Sequence, residues 1–177
     1  KVTLWDKFFK LKLIKEGGLR LLEGIINEDY LFMMEVCLES DNIVFLNHQL
    51  YTATIRPNSV SRTIKPQTVT DYFIIAERIK HLLIREGAFD RYKDYYYASI
   101  IKNMLFSLVQ SAFKVDNYTT FNSLYKLLRG SYYFESETRK GVYLLDFKIR
   151  CLYHLSLRPW PFYSSMRILK KCHVFMY

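Results

Sequence analysis

The sequence has little glycine and proline, with 6 and 4 of them in 177 residues, and no stretch repeats at a fixed period. These absences exclude low-complexity, collagen-like and solenoid chains, which depend on such residues or on repeats. Half of the residues are hydrophobic and 17% are aromatic, which is enough apolar material for a core. We therefore expect a folded protein of one to one and a half ordinary domains.

Cysteine is also rare, and Cys37, Cys151 and Cys172 are far apart in apolar surroundings. An odd number at such spacings argues against a disulfide framework and a zinc knuckle, so we expect small buried hydrophobes in a reducing cytoplasm. No apolar run approaches the roughly 20 residues of a membrane-spanning helix, and no signal-peptide pattern opens the chain. Because the pattern is already under way at Lys1, we expect the chain to be a fragment of a longer protein.

Positive charge is what the chain has in excess, because 26 Lys and Arg face 17 Asp and Glu, a formal net charge of +9. Such an excess favours partners that carry phosphate, or an anionic membrane surface. An ordinary basic soluble protein explains the same number. Charge alone therefore leaves both interpretations open.

The first third of the chain alternates predicted helices and strands. A short helix over 5–15 ends at Gly17-Gly18, and Asn27 is a typical N-cap for a helix over 28–39. Apolar runs at 43–46 and 50–55 predict two strands that end in a turn at 56–59. A lone pair of strands is marginal in water, so we expect their sheet partners to lie elsewhere.

After Pro66 the pattern predicts only helices. Thr68 and Asp71 have the offset of a capping box, and apolar residues then follow one helical face up to Gly87. Further helices are predicted over 92–114, 120–129 and 138–157.

The adjacent acids Glu28 and Asp29 stand at the start of a predicted helix. Acids favour this position because the helix dipole and free backbone N–H groups stabilise negative charge by about 0.3–1 kcal/mol each. Taken alone, the pair is typical of a helix start. Its context adds a second interpretation.

Several short motifs follow one another in a fixed order around this pair. They are Trp5 with Lys7-Phe8, Leu22-Glu23-Gly24, Asn27 to Phe32, Asn42 to Phe45, Leu50-Tyr51 and Arg56 to Ser61. Over residues 2–63 this series resembles the second half of the catalytic domain of family-two, GT-A-type glycosyltransferases. The resemblance implies an α/β remnant of about two strands over residues 1–63, followed by a helical subdomain over 64–177, in a chain dominated by helix.

The resemblance further implies an inverting hexosyltransferase of bacterial cell-surface polysaccharide synthesis, with Asp29 as the catalytic base. An acceptor hydroxyl is a poor nucleophile, so a positioned carboxylate must take its proton during attack on the anomeric carbon. Glu28 is expected to orient Asp29 or to contact the acceptor. The helix amino terminus is expected to keep Asp29 ionised at some loss of basicity.

The resemblance also places the segment after the second strand close to the active site. Arg56 and Arg62 are candidates for pairing with donor phosphate, and Ser59 for a hydrogen bond to substrate. A surface turn with solvated arginines explains the same residues.

The full enzyme of such a family uses a nucleotide-sugar donor, a glycan or lipid-linked acceptor, and a divalent cation, Mg or Mn, held by an Asp-any-Asp motif. This chain has no such triplet, and Asp90 and Asp94 are better interpreted as solvated charges on a helix. His48 lies between the two predicted strands without a second His or Cys at metal-ligand spacing, and no role is assigned to His81, His154 or His173, which stand in helical patterns. We therefore expect no metal ligands here and no activity from this chain by itself.

Aromatic and basic residues alternate towards the carboxyl terminus, over residues 141–177. Such a pattern suits the membrane interface, at the inner face of the membrane for a cytoplasmic protein. The same residues suit nucleic acid, the least favoured partner, or a helical subdomain that packs on itself. A non-catalytic helical interaction module is accordingly the alternative to an enzyme.

Overall fold

A computed structural model describes residues 3–52, 54, 66–129 and 138–172, and the side chains of all of these except 66–69. The chain divides into two compact units, Lys1–Arg85 and Glu86–Tyr177. The functional boundary predicted between residues 63 and 64 concerns a catalytic domain and its tail, and it stays a prediction.

The described residues of the first unit form three helices: α1 at Leu11–Glu16, α2 at Glu28–Glu39 and α3 at Pro66–Arg85. Its small core joins Leu19 to Phe32 and Val36 of α2, with four partly buried residues packed against them, namely Leu4, Phe9, Leu13 and Ile14. Six apolar residues of α3 are buried at helical spacing, namely Tyr72, Ile75, Ala76, Ile79, Leu82 and Leu83. One amphipathic face of α3 therefore forms the inner side of this unit.

The second unit contains α4 at Phe89–Lys114, α5 at Tyr118–Arg129, a 3₁₀ helix at Thr138–Leu144, α6 at Phe147–Ser156 and α7 at Pro159–Lys171. The long helix α4 is central, because the other four elements all pack against it. The 3₁₀ helix lies close to α4 at Gly141, which is buried against the backbone of Asp94, Tyr97 and Ala98. Only a residue without a side chain fits this contact.

Aromatic rings fill the space between α5 and α7. The rings of Phe121 and Phe162 stack at 6.3 Å, and Tyr163 lies 4.9 Å from Phe121. The hydroxyl of Tyr125 donates a 2.7 Å hydrogen bond to the backbone carbonyl of Ser156, near the end of α6. This bond satisfies a buried carbonyl that the last turn of a helix leaves without a partner.

The predicted α/β remnant is wrong. Residues 43–46, predicted as the first strand, and the described part of the second, residues 50–52 and 54, form no strand and are exposed. No strand occurs anywhere in the described ranges. Strand propensity reports suitability for a pleated surface, and without a neighbouring chain to complete the ladder these residues have no strand to form.

Helix starts also differ from the predictions. Asn27 precedes α2 but makes no capping hydrogen bond through its side chain. Because α3 begins at Pro66, Thr68 lies inside the helix and the predicted capping box does not exist. The helix predicted over 5–15 is confined to Leu11–Glu16.

The three cysteines are free but exposed rather than buried.

The single helix predicted over 138–157 is two elements. The 3₁₀ helix ends at Leu144, and Asp146 then caps α6 by accepting a 3.0 Å hydrogen bond from the backbone N–H of Ile149. An Asp cap stabilises a new helix start and so competes with a continuous helix. The sequence pattern does not predict α7 as a separate helix. Proline is compatible with its first turn, where the backbone N–H needs no partner.

Candidate active site at the start of α2

The chain enters α2 through an unusual backbone conformation. Asn27 has φ 68° and is the one described non-glycine residue with a positive φ. The left-handed region is costly for residues with a side chain, although asparagine tolerates it better than most. Residues held in such conformations cluster at functional sites, so this one directs attention to the two acids that follow.

Buried contacts hold this entry segment in place. The backbone N–H of Ile26 donates a 2.9 Å hydrogen bond to the carboxylate of Asp71 on α3, and the carbonyl of Asn27 accepts from the N–H of Tyr30 at 3.1 Å. Asp71 is only 6% exposed. On α2 itself, Phe32 is buried and meets the ring of Phe9 edge-on at 5.7 Å. The start of α2 is therefore held in place by contacts with α3 and with Phe9.

Asp29 lies in that first turn, partly buried. Burial raises the pKa of its carboxyl group above the usual value, and the negative charge of Glu28 raises it further. Hydrogen bonds from the backbone N–H groups of Tyr30 and of Asp29 itself, together with the charge of Lys7, act in the opposite direction. The helix start was expected to reduce the basicity of Asp29, but desolvation outweighs it and the pKa moves upward.

Lys7 acts on Asp29 through its charge, an effect that the sequence does not predict. Its ammonium group pairs with Asp6 and donates to the backbone carbonyl of Thr3, which fixes it in the segment ahead of α1. From there its charge favours the ionised form of Asp29. The two residues are far apart in sequence, and the series of motifs that contains both does not indicate this interaction.

A second polar cluster lies between α2 and α3, where an open pocket of about 220 Å³ is lined by Leu31, Glu35, Arg78, His81, Leu82 and Arg85. Burial raises the pKa of the Glu35 carboxyl group, and the charge of Glu39 raises it too, while Arg85 and Arg78 lower it. His81 thus lines a pocket together with one carboxylate and two arginines, which its sequence neighbours do not indicate.

Of the predicted site residues, Glu28 and Asp29 are adjacent at the start of α2, as the sequence indicates. Arg56, Ser59 and Arg62 lie outside the described residues, and their roles stay predictions. Asp90 and Asp94 have partners of their own: Asp90 pairs with Lys93 at 3.2 Å, and Asp94 accepts a 2.7 Å hydrogen bond from the hydroxyl of Tyr143.

No group of three or more His, Cys, Asp or Glu side chains with the spacing of a metal site occurs among the described residues. Mg²⁺ is usually bound in proteins through one or two carboxylates together with waters and substrate phosphates, so the adjacent pair Glu28 and Asp29 does not by itself identify a cation site. The divalent cation that the resemblance implies stays a prediction. The same part of the chain contains no helix with both the length and the apolar character needed to cross a bilayer.

Comparison with known proteins gives one informative similarity. The chain is 30% identical over 94 residues to a cholesterol galactosyltransferase of Borreliella burgdorferi (strain ATCC 35210 / DSM 4680 / CIP 102532 / B31). The matched region is 53% of this chain but 25% of that protein, so the chain spans about a quarter of the relative's length. No family model and no solved structure matches the chain. The similarity supports a glycosyltransferase at a coarse level, without specifying family two, the GT-A type or the sugar transferred.

Proposed function

We propose that this chain is the acceptor-side part of an inverting glycosyltransferase in which Asp29 is the general base. The observation that carries the proposal is the partly buried carboxylate at the first turn of α2, whose pKa is raised by burial and by Glu28. A raised pKa makes a carboxylate a stronger base while leaving it ionised when that pKa stays below the working pH. The strained Asn27 and the buried Asp71 fix the segment that leads to it.

The reaction is a single displacement. The acceptor oxygen forms a bond to the anomeric carbon of the sugar as the bond from that carbon to the diphosphate breaks. The hydroxyl proton passes to Asp29, and the bonding electron pair leaves with the nucleoside diphosphate. Because attack and departure take place on opposite sides, the configuration of the carbon inverts.

Glu28 has a positioning role in this proposal. Its negative charge beside Asp29 raises the pKa of the base, and Lys7 limits that rise. The donor nucleotide and a divalent cation, Mg or Mn, are assigned to residues beyond the described ones, with Arg56, Ser59 and Arg62 contacting donor or acceptor. No step in the proposal passes through the cation.

The substrates to test first follow from the similar protein. Its name gives galactose as the transferred sugar and cholesterol as the acceptor. We therefore assign this chain to transfer of a hexose to a lipid or glycan hydroxyl, at the cytoplasmic face of a membrane, in the synthesis of a surface glycan or glycolipid.

The test compares Asp29→Asn with Asp41→Asn in the longest natural protein that contains this chain. Asp41 is an exposed acid just beyond the other end of α2, which makes it a matched control. Transfer of labelled hexose from UDP-galactose to cholesterol and to a total lipid extract is measured. Loss of a general base lowers kcat about 10²–10⁴-fold, whereas Asp41→Asn is expected to leave it unchanged.

Glu28→Gln separates positioning from catalysis. Removing its charge lowers the pKa of Asp29, so the acid limb of the pH–rate profile moves to lower pH while activity at neutral pH largely remains. An Asp29→Asn protein that keeps more than about a tenth of kcat refutes the base assignment, since a general base contributes far more than that, and favours a non-catalytic helical module. A wild-type protein that transfers no hexose to either acceptor contradicts the activity itself.

A further inference from the structure

One face of α7 stays outside the core of its unit. Phe162 and Met166 point inward and are fully buried. On the adjoining side, the hydroxyl of Tyr163 donates to the carbonyl of Val115 at 3.1 Å, and the ammonium of Lys170 donates to the carbonyl of Phe113 at 2.6 Å. These contacts fix how α7 is rotated about its axis.

The remaining side of α7 is the feature of interest. Trp160, Ile168 and Lys171 are spaced by eight and three residues, which places them on one face of a helix with 3.6 residues per turn. Trp160 is 61% exposed and Ile168 is 62% exposed, although both are large and apolar. We call these three residues the α7 outer face.

The stretch of sequence that contains this face is strongly basic. Residues 138–172 contain eight Lys and Arg and a single acid, Asp146. That acid is engaged in capping α6 through the N–H of Ile149. Four of the cations are exposed and form no ion pair with any described residue, namely Lys148, Arg150, Arg158 and Lys171. Arg167 pairs with Asp116 at 3.0 Å, and the four unpaired cations leave a local excess of positive charge.

We propose that the α7 outer face docks on an anionic lipid membrane, with Trp160 and Ile168 entering the headgroup region and Lys171 meeting lipid phosphates. Tryptophan favours this depth because its ring is apolar and its indole N–H is polar. A basic helix with an apolar face lies in the plane of such an interface. The inference does not rest on the proposed glycosyl transfer.

The charge explains the choice of a membrane over other partners. An anionic bilayer attracts basic residues over about a Debye length, so exposed cations outside the α7 outer face can add to the attraction without contacting the lipid. Nucleic acid would use the cations and the ring of Trp160 for stacking, but it offers no apolar environment for Ile168. A membrane accounts for the aliphatic residue as well.

The first experiment follows Trp160 directly. The chain has two tryptophans, so Trp5→Phe leaves Trp160 as the single indole fluorophore. With vesicles of phosphatidylcholine and phosphatidylglycerol, the protein is expected to co-sediment and its emission to shift to shorter wavelength, and added salt is expected to weaken both effects. Vesicles of phosphatidylcholine alone are expected to bind it far more weakly.

The second experiment compares variants of matched exposure. Lys171→Gln is expected to lower the vesicle partition coefficient about fivefold, as one basic residue near an anionic surface does. Trp160→Ala is expected to lower it about tenfold or more, through lost apolar area. Phe106→Ala and Lys126→Gln, at exposed positions of α4 and α5, are the controls and are expected to change it less than twofold.

Three results would overturn the proposal. One is a Phe106→Ala effect as large as that of Trp160→Ala, which would move docking away from α7. Another is co-sedimentation without any shift of the Trp160 emission, which would mean that the face does not enter the lipid. The third is absence of binding to anionic vesicles in a protein that binds RNA at the same salt concentration.

Discussion

The backbone N–H of Ile26 donates a 2.9 Å hydrogen bond to a carboxylate oxygen of Asp71, and this bond joins the segment before α2 to the helix that begins 40 residues later in the chain, at Pro66. The buried carboxylate of Asp71 thus helps to position the backbone that leads to Glu28 and Asp29. The bond connects the stability of the first unit with the geometry of its candidate site.

Asp71→Ala is expected to destabilise the first unit by about 1–3 kcal/mol, because it leaves the N–H of Ile26 without its acceptor in a poorly hydrated place. Asp71→Asn keeps an oxygen acceptor and is expected to cost less. Chemical denaturation measures both. Asp41→Ala, at an exposed position, serves as the reference, and equal effects of the Asp71 and Asp41 variants would show that the bond does not stabilise the fold.

The raised pKa of Asp29 predicts a pH dependence of stability. A group whose folded pKa lies above its unfolded value favours the folded state at low pH, and that contribution is lost as pH rises through the folded pKa. Asp29→Asn removes the partly buried charge, so the variant is expected to be at least as stable as the wild type at neutral pH.

The same argument gives the pH at which the difference in stability between Asp29→Asn and the wild type disappears. Below the ordinary Asp value of 3.8 the wild-type carboxyl is protonated in both states, and the two proteins are expected to unfold at the same denaturant concentration. If Asp29→Asn instead loses stability at neutral pH, Asp29 is a helix-capping residue and its ionised form stabilises α2.

Gly141→Ala is expected to destabilise the second unit by about 1–3 kcal/mol, because small-to-large changes in a packed contact force the backbone apart. A Cβ atom there would lie 2.5 Å from the backbone nitrogen of Ala98 and 2.9 Å from the carbonyl oxygen of Asp94. Thermal unfolding followed by circular dichroism measures the loss.

Gly87 provides the contrast. It has a φ of +63° with open space around it, so its substitution meets backbone strain and no collision. Asn tolerates this region better than Ala, and Gly87→Asn is therefore expected to be milder than Gly87→Ala. At Gly141 the larger Asn is expected to be worse than Ala, and the opposite order there would contradict a steric origin.

Tyr125→Phe is expected to cost about 1 kcal/mol, the usual net value of a hydrogen bond, because it leaves the buried carbonyl of Ser156 without the 2.7 Å bond it accepts. Burial also raises the pKa of the Tyr125 hydroxyl, which keeps it a donor over the working range of pH. Tyr143→Phe removes an exposed bond to Asp94 and is expected to be nearly neutral. Equal effects of the two substitutions would deny Tyr125 its role in joining α5 to α6.

Some of this structure could be predicted from the sequence. The bounds of α2 follow from local features, since two acids favour its start and apolar residues recur at helical spacing until Glu39. The strands at 43–46 and 50–55 could not be decided locally, because a strand depends on a neighbour that completes its hydrogen bonds. The local pattern is strong for α2 and for the two predicted strands alike. Only a helix, however, makes its backbone hydrogen bonds within its own segment.

The candidate site likewise contains residues that the sequence predicts and residues that it does not. Glu28 and Asp29 are adjacent in sequence and were found there. Lys7 and Asp71 act on this site from 22 and 42 residues away from Asp29. Lys7 belongs to the same series of motifs as Asp29, but the series does not indicate that its charge acts on that carboxylate. Asp71 even had a plausible local interpretation as a capping residue, which the start of α3 at Pro66 removes.

The exposed run at 43–46 has a practical consequence for work with this chain. Ile43, Val44, Phe45 and Leu46 are consecutive, uncharged and free of proline, and Phe45 is 92% exposed. Short segments of this composition stack readily into intermolecular cross-β aggregates. A charged substitution such as Val44→Lys is the direct means of keeping the isolated chain in solution, since a gatekeeper charge opposes such stacking.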